Sequence, residues 1–318
     1  MSKKEVEESL RQQKKGQFFE SKELNMIQMN NLNHTIPVED FFPQPLLDDM
    51  RKTKQFKLEK ATTPKGYVDL REFDTSVKSQ DNGKCTAYSL IALWENLCQQ
   101  KYGKGSESCK DISEWDLWRN YRKYSCDAAI KAFSKNYVAD ENFYPQYGNP
   151  KQGIEKNRHA IITSYAYRYN DINAVIEGLD NNRPVYFATT VTKSLLNCDT
   201  TVYAYSQATD GGHGISIVGY GIDKDIPGGG YFIYKNSWGP NCADKGYQYL
   251  PFYHCQRNDT YCAFWDVTGI KSTKTFNDID PTPTPNPEPP KYQCIKWGRK
   301  ITKPSCWFKE CCLEWGYK

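Results

Sequence analysis

Residues 77–89 read Val-Lys-Ser-Gln-Asp-Asn-Gly-Lys-Cys-Thr-Ala-Tyr-Ser. Asp81-Asn82-Gly83 is turn chemistry. Directly after it Ala87, Leu90, Ile91, Trp94, Leu97 and Cys98 recur at helical spacing, which predicts a buried helix over about 85–100. Cys85 falls at the N-terminus of that helix, where free N–H groups and the helix dipole stabilise a thiolate. Taken alone, a cysteine opening a helix is more often a packed hydrophobe or half of a disulfide. Its meaning depends on what stands elsewhere in the chain.

Two downstream stretches supply that context. Residues 212–221 read Gly-His-Gly-Ile-Ser-Ile-Val-Gly-Tyr-Gly, and 234–239 read Tyr-Lys-Asn-Ser-Trp-Gly. Residues 214–220 and 231–235, joined by a turn-rich Ile-Pro-Gly-Gly-Gly, have the composition of a β-hairpin. Further helices are expected near 126–136 and 171–179. Helices gather early and strands late, an order that indicates α+β rather than alternating βαβ.

Residues 77–89, with Cys85, resemble the nucleophile segment of papain-family cysteine peptidases. The stretch around His213 resembles their histidine strand and the stretch around Asn236 their asparagine motif. His213 and Asn236 lie 128 and 151 residues beyond Cys85, close to the roughly 130–150 of papain-type enzymes. Tyr67-Val68-Asp69-Leu70-Arg71 resembles the start of a mature chain of that family. The resemblance spans about 65–270 and implies an α+β, papain-like two-lobe fold, a helical lobe and a β-rich lobe with the cleft between them.

The resemblance also assigns roles. Cys85 is the nucleophile, His213 its base and later the acid for the leaving amine, and Asn236 the group that orients His213. Gln80, with the Cys85 backbone N–H, forms an oxyanion hole, and Trp238 shields the His–Asn bond. The implied reaction is endopeptidase cleavage of a protein or peptide substrate through a thioester, with no metal and no organic cofactor. Acyl or peptidyl transfer on the same scaffold, or a catalytically impaired binding protein, are the alternatives.

The pattern departs from the family in places. Asn82 and Thr86 stand where a disulfide cysteine and a tryptophan are usual, and the loop before Cys85 is one residue shorter. Aligning Ala132-Phe133 with the matching helix puts Cys126 and Asp127 where a substrate-binding Gly-Gly pair is expected. Ala188 and Gly212 are the expected walls of the specificity pocket, and their small size leaves room for a bulky substrate residue.

The 318 residues accommodate one large enzyme domain with small appendages. A net charge of +4 argues against a bulk nucleic-acid binder, and a mean hydropathy of −0.77 describes extensive polar surface. No window approaches the roughly 18–20 apolar residues of a membrane span. The charged N-terminus lacks an apolar signal core, so either a signal precedes this numbering or the protein matures without one. Twelve cysteines favour an oxidising setting, secreted or endolysosomal/vacuolar, against an intracellular or particle-carried alternative. With Cys85 a free thiol, eleven cysteines remain, so at least one more is unpaired or bonds another chain.

Composition separates four segments. Residues 1–62 are charged and Asn/Gln-rich, with apolar points at Phe18, Phe19, Leu24, Ile27, Leu32, Phe41 and Phe42 that fit short amphipathic helices needing a partner surface. The resemblance makes them an inhibitory prosegment. Residues 63–276 are the peptidase domain, and 277–290 form a linker in which six of the ten residues 281–290 are proline, a stiff polyproline spacer. Residues 291–318 carry seven Lys/Arg against two Glu, several aromatics, and Cys294, Cys306, Cys311 and Cys312. So small a unit needs two disulfides or a zinc ion, the latter disfavoured by the adjacent Cys311-Cys312. It is expected either to meet a glycan or an anionic surface or to bind nothing, on a protein expected to be a monomer. Cys242, His254, Cys255 and Cys262 suggest a metal site, but disulfide pairing of these cysteines is the stronger expectation. Asn33-His34-Thr35 and Asn258-Asp259-Thr260 fit the glycosylation pattern. His34 and His159 lie outside the motifs and are expected to have no catalytic part.

Overall fold

The computed structural model describes residues 1–13, 24–42, 64–109, 111–122, 124–169 and 171–274, and the backbone of 294–296 and 299–301. The chain divides into two units, 1–274 and 275–318.

The first unit opens with helices α1 (Lys3–Arg11), α2 (Met26–Leu32) and α3 (Val38–Phe41), with the short strand β1 (Ile36–Pro37) between the last two. α1 forms in a highly charged run because Ser2 and Glu5 cap it reciprocally. Its Val6 and Leu10, one turn apart, enter the β-side core. An Asn25–Gln28 box starts α2 in the same way. Of the expected apolar points, Leu24 and Leu32 pack on that core, whereas Ile27 is 56% exposed. Phe18 and Phe19 lie outside the described residues.

Next come β2 (Tyr67–Asp69), α4 (Cys85–Tyr102), α5 (Glu114–Tyr121), α6 (Cys126–Phe133) and β3 (Val138–Ala139). Then follow α7 (Ile154–Asn157), β4 (Arg158–Tyr169), α8 (Ile172–Asp180), β5 (Val185–Thr192), α9 (Lys193–Leu196) and β6 (Ala208–Ile222). β7 (Gly230–Lys235), β8 (Tyr247–Pro251) and β9 (Cys262–Ser272) complete the unit. The sheet runs β3-β4-β9-β5-β6-β7-β8, and β1 and β2 both add to β6. The helices expected near 85–100, 126–136 and 171–179 are α4, α6 and α8. The expected hairpin is β6–β7, pairing Ser216 with Lys235 through Ile222 with Gly230.

Two apolar cores result. One lies among β2, β5–β8 and α8; the other surrounds α4, α5 and α6 and reaches Ile36, Phe41 and Phe42 of the N-terminal segment. α4 is apolar along most of its length, and its buried Asn96 donates to the Leu70 carbonyl and to Asp74. Disulfides join Cys98–Cys109, Cys198–Cys242 and Cys255–Cys262. Among the described residues Cys85 and Cys126 are free thiols, so Cys126 is a second unpaired cysteine. No helix of the described residues is long and apolar enough to cross a membrane.

In the second unit, β10 (Cys294–Lys296) pairs antiparallel with β11 (Arg299–Ile301). The expected linker and the tail cysteines' bonding lie outside the described residues.

Candidate active site

Cys85 is the first residue of α4, after a tight turn in which Lys84 N–H bonds the Asp81 carbonyl and Gly83 takes a φ of +69°. No side chain caps this helix end. The backbone N–H groups of Gly214, Thr86 and Cys85 itself act on the sulfur so as to favour its thiolate. Gly214, on the strand that carries His213, packs closely on this helix: a Cβ there would lie 3.4 Å from the Cys85 carbonyl oxygen and 3.1 Å from Ser89 Oγ. Cys85 is fully buried, and burial pushes its thiol up to about 12, these N–H groups offsetting only part of that.

His213 sits mid-strand on β6 and is also fully buried. Its Nε2 meets Asn236 Oδ1 at 2.9 Å, and its Nδ1 has no hydrogen-bond partner among the described residues. Burial lowers its pKa to about 4, against the Asn236 bond, which favours the charged form. The Trp238 ring stacks on the imidazole, centroids 4.5 Å apart, and covers it from one side. Burial in this form of the protein favours the neutral form of both thiol and imidazole.

Gln80 is buried and pinned to the Asn236–Gly239 loop. Its N–H bonds the Ser237 carbonyl at 2.7 Å, and Ser237 Oγ donates to Gln80 Oε1 at 2.6 Å. The hydroxyl fixes which end of the amide faces the cleft, so Nε2 points outward as a donor. Nε2 donates at 3.0 Å to the backbone carbonyl of His34, in the N-terminal segment. Ser237 was not among the residues singled out in the sequence, and its place beside Asn236 in the asparagine motif was the available signal.

The N-terminal segment lies over this site. Ile36 and Pro37 pair with Gly212 and Gly211 of β6. A Cβ on Gly212 would come within 2.5 Å of the Phe41 ring, so the ring's approach depends on that glycine. Phe41 and Phe42 are buried in the same apolar cluster as Cys85, Cys126 and Ala188. His34, expected to stand apart from the chemistry, lies 6.5 Å from Trp238 between ring centroids. Burial lowers its pKa, with Asp81 opposing.

Ala188 on β5 pairs with Gly214 of β6 and is buried. Cys126 and Asp127 occupy the first turn of α6, whose N-cap is Ser125. Their backbone is helical and not extended for pairing with a substrate. The two side chains diverge. Cys126 is buried with its sulfur 3.3 Å from where a Gly214 Cβ would stand, whereas Asp127 bonds Lys131 on the surface at 2.6 Å. Cys242, Cys255 and Cys262 are in disulfides, and His254 bonds Thr189 at 2.8 Å. No cluster of three His, Cys, Asp or Glu able to hold a metal occurs among the described residues.

A cysteine at a helix N-terminus, packed against a strand whose histidine bonds an asparagine just beyond the next strand, defines a thiol-hydrolase scaffold. The chain belongs to the papain family: residues 65–264 match the model described as papain family cysteine protease. A viral cathepsin of Spodoptera litura multicapsid nucleopolyhedrovirus is 28% identical over 218 residues, 64% of this chain and 60% of that protein. The chain therefore spans less than two thirds of that relative's length. Among solved structures, xylellain, a cysteine protease from Xylella fastidiosa, aligns with a TM-score of 0.57 at 20% identity, over 76% of this chain and 96% of its own. Procathepsin L 3 of Tenebrio molitor larval midgut aligns with a TM-score of 0.54 at 20% identity, over 82% and 88%. These structures share the fold: helices on one side of the cleft and a large antiparallel sheet on the other.

Proposed function

We propose that the chain is a cysteine endopeptidase held latent by its own N-terminal segment. The observation that carries the proposal is the bond from Gln80 Nε2 to the His34 carbonyl. A donor suited to the oxyanion of a tetrahedral intermediate is already engaged by a peptide carbonyl of the chain itself. β1 pairing and the buried Phe41 and Phe42 hold that carbonyl in place.

The segment suppresses the chemistry in two ways. It occupies the cleft, and by excluding water it disfavours both charges of the thiolate–imidazolium pair. Once it leaves, solvent and the α4 N–H groups favour the thiolate. His213 Nδ1 takes the thiol proton, with Nε2 still donating to Asn236. Thiolate attack on a peptide carbonyl forms the C–S bond, and Gln80 Nε2 with the Cys85 N–H stabilises the oxyanion. Collapse expels the amine, protonated by His213. Water activated by the same imidazole then hydrolyses the thioester and returns the thiol.

Labelling with a mechanism-based peptidyl epoxide, read by intact mass, tests this on the full chain, on a chain clipped near residue 62, and on Cys85→Ala. One adduct on the clipped chain, weak on the full chain and absent from Cys85→Ala, is expected. Equal labelling of full and clipped chains would reject latency. No adduct on any form with Cys85 reduced would favour a binding protein.

A further inference from the structure

Asn236 serves His213 in only one of its two amide orientations. Rotated by half a turn it has nearly the same shape but turns Nδ2, a donor, toward the imidazole. The surroundings decide between the two. Gln248, fully buried on β8, directs its Nε2 at the Asp199 carbonyl at 2.9 Å and the Leu195 carbonyl at 3.4 Å. Carbonyl oxygens only accept, so the nitrogen must face them and Oε1 must face the other way. There it accepts from Asn236 Nδ2 at 2.8 Å. Asn236 Oδ1 is then left for His213 Nε2, and the Ser237 N–H, at 2.7 Å from Oδ1, supports the same orientation.

We infer that Gln248 is a positioning residue for the acyl-transfer reaction, setting the Asn236 amide and through it the His213 tautomer. The chain of constraint runs from two backbone carbonyls of the 195–199 turn, through two amides, to the imidazole. It leaves the proton on Nε2 and the lone pair on Nδ1, the nitrogen a base needs to present to a thiol. Removing Gln248 leaves buried Asn236 Nδ2 with only the Cys242 sulfur at 3.9 Å, while the Ser237 N–H still favours the working orientation. The expected loss is therefore about tenfold rather than total. This inference rests on His213 acting as the base for Cys85.

The test uses the full chain with ¹⁵N-labelled histidine, its His213 signals assigned by their loss in His213→Ala. Wild type is expected to show the Nε2–H tautomer, and Gln248→Met a mixture of the two. After acid activation, Gln248→Met should lower kcat about tenfold with KM little changed. Gln248→Glu separates positioning from packing. Its protonated carboxyl can donate to Asp199 and accept from Asn236, whereas the carboxylate cannot donate. Its activity should approach wild type at acid pH and fall as the carboxyl ionises, a limb absent from wild type and from Gln248→Met. An unchanged tautomer in Gln248→Met, or a Gln248→Glu profile parallel to wild type, would overturn the inference. Full activity in Asn236→Ala would instead overturn the roles assigned to His213 and Asn236, and the tautomer measurement needs no activity at all.

Discussion

The N-terminal segment holds the rest of the protein in two different ways. α1 rests on the β-rich side, with Val6 and Leu10 in its core and a rim of charge. Arg11 pairs with Asp223, the Met1 amine lies 3.0 Å from Asp244, and Lys3 stands over the Tyr67 ring. Residues 31–42 instead lie over the site. There Ile36, Phe41 and Phe42 are buried, the backbone extends the sheet, and His34 gives its carbonyl to Gln80. Rim ion pairs are screened by water and salt and hold weakly, whereas buried rings and strand bonds are not. On the latent-enzyme proposal, inhibition resides in 31–42, and α1 serves as an anchor that keeps this stretch close at hand.

The largest effect is expected at the group that residues 31–42 engage in the site. Gln80→Ala should lower kcat of the released enzyme by about a hundredfold to a thousandfold, as for loss of an oxyanion-hole donor. Because it also removes the bond to His34, the variant chain should release its segment more readily, measured as epoxide labelling of the unclipped protein.

Next, Phe42→Ala removes a fully buried ring. A loss of about 3 kcal/mol for such a truncation corresponds to roughly a hundredfold weaker hold on the cleft. Labelling of the full chain at neutral pH should rise toward that of the clipped chain. If it does not, the hold resides in the strand pairing.

Acid should act in the same direction more gently. Burial depresses both His34 and His213 in the docked state, so each takes up a proton more easily once the segment is released. Docking is then at full strength above about pH 6.5, the ordinary histidine value, and weakens as pH falls from there toward about 4, the docked value of His213. His34→Gln should move the onset of activation to lower pH by a few tenths of a unit, since His34 is only half-buried. An unshifted profile would leave His213 as the sensor.

The smallest effect is expected at the rim. Arg11→Ala should change the activation rate by less than about threefold, and less still in high salt. A larger change would make α1 a principal hold.

Much of this was legible in the chain, and what was not has a common cause. Cys85, His213 and Asn236 stand in local motifs, each defined by its neighbours, and the helix and hairpin periodicities were equally local. The Gly-Gly comparison placed Cys126 and Asp127 by register, yet their conformation is set by the Ser125 cap and the packing of α6. Gln248 could have been noticed as a lone amide in the apolar run Tyr-Gln-Tyr-Leu-Pro, but its partners at 195 and 199 are brought to it only by β7–β8 pairing and the turn after α9. His34 meets Gln80 across 46 residues of sequence and Gln80 meets Ser237 across 157. No periodicity reports on such contacts.

By itself the sequence determined the class of fold and the chemistry on offer: a thiol at a helix N-terminus, a histidine within a strand, and an amide after the next. These depend on residue type and short-range spacing, which backbone sterics and hydrogen bonding translate directly into local structure. Only the tertiary structure decided the proton affinity and orientation of those groups: burial favours neutral Cys85 and His213, Ser237 turns Gln80, and Gln248 turns Asn236. Desolvation and the direction of a hydrogen bond depend on everything that surrounds an atom, and those surroundings exist only once distant segments have packed.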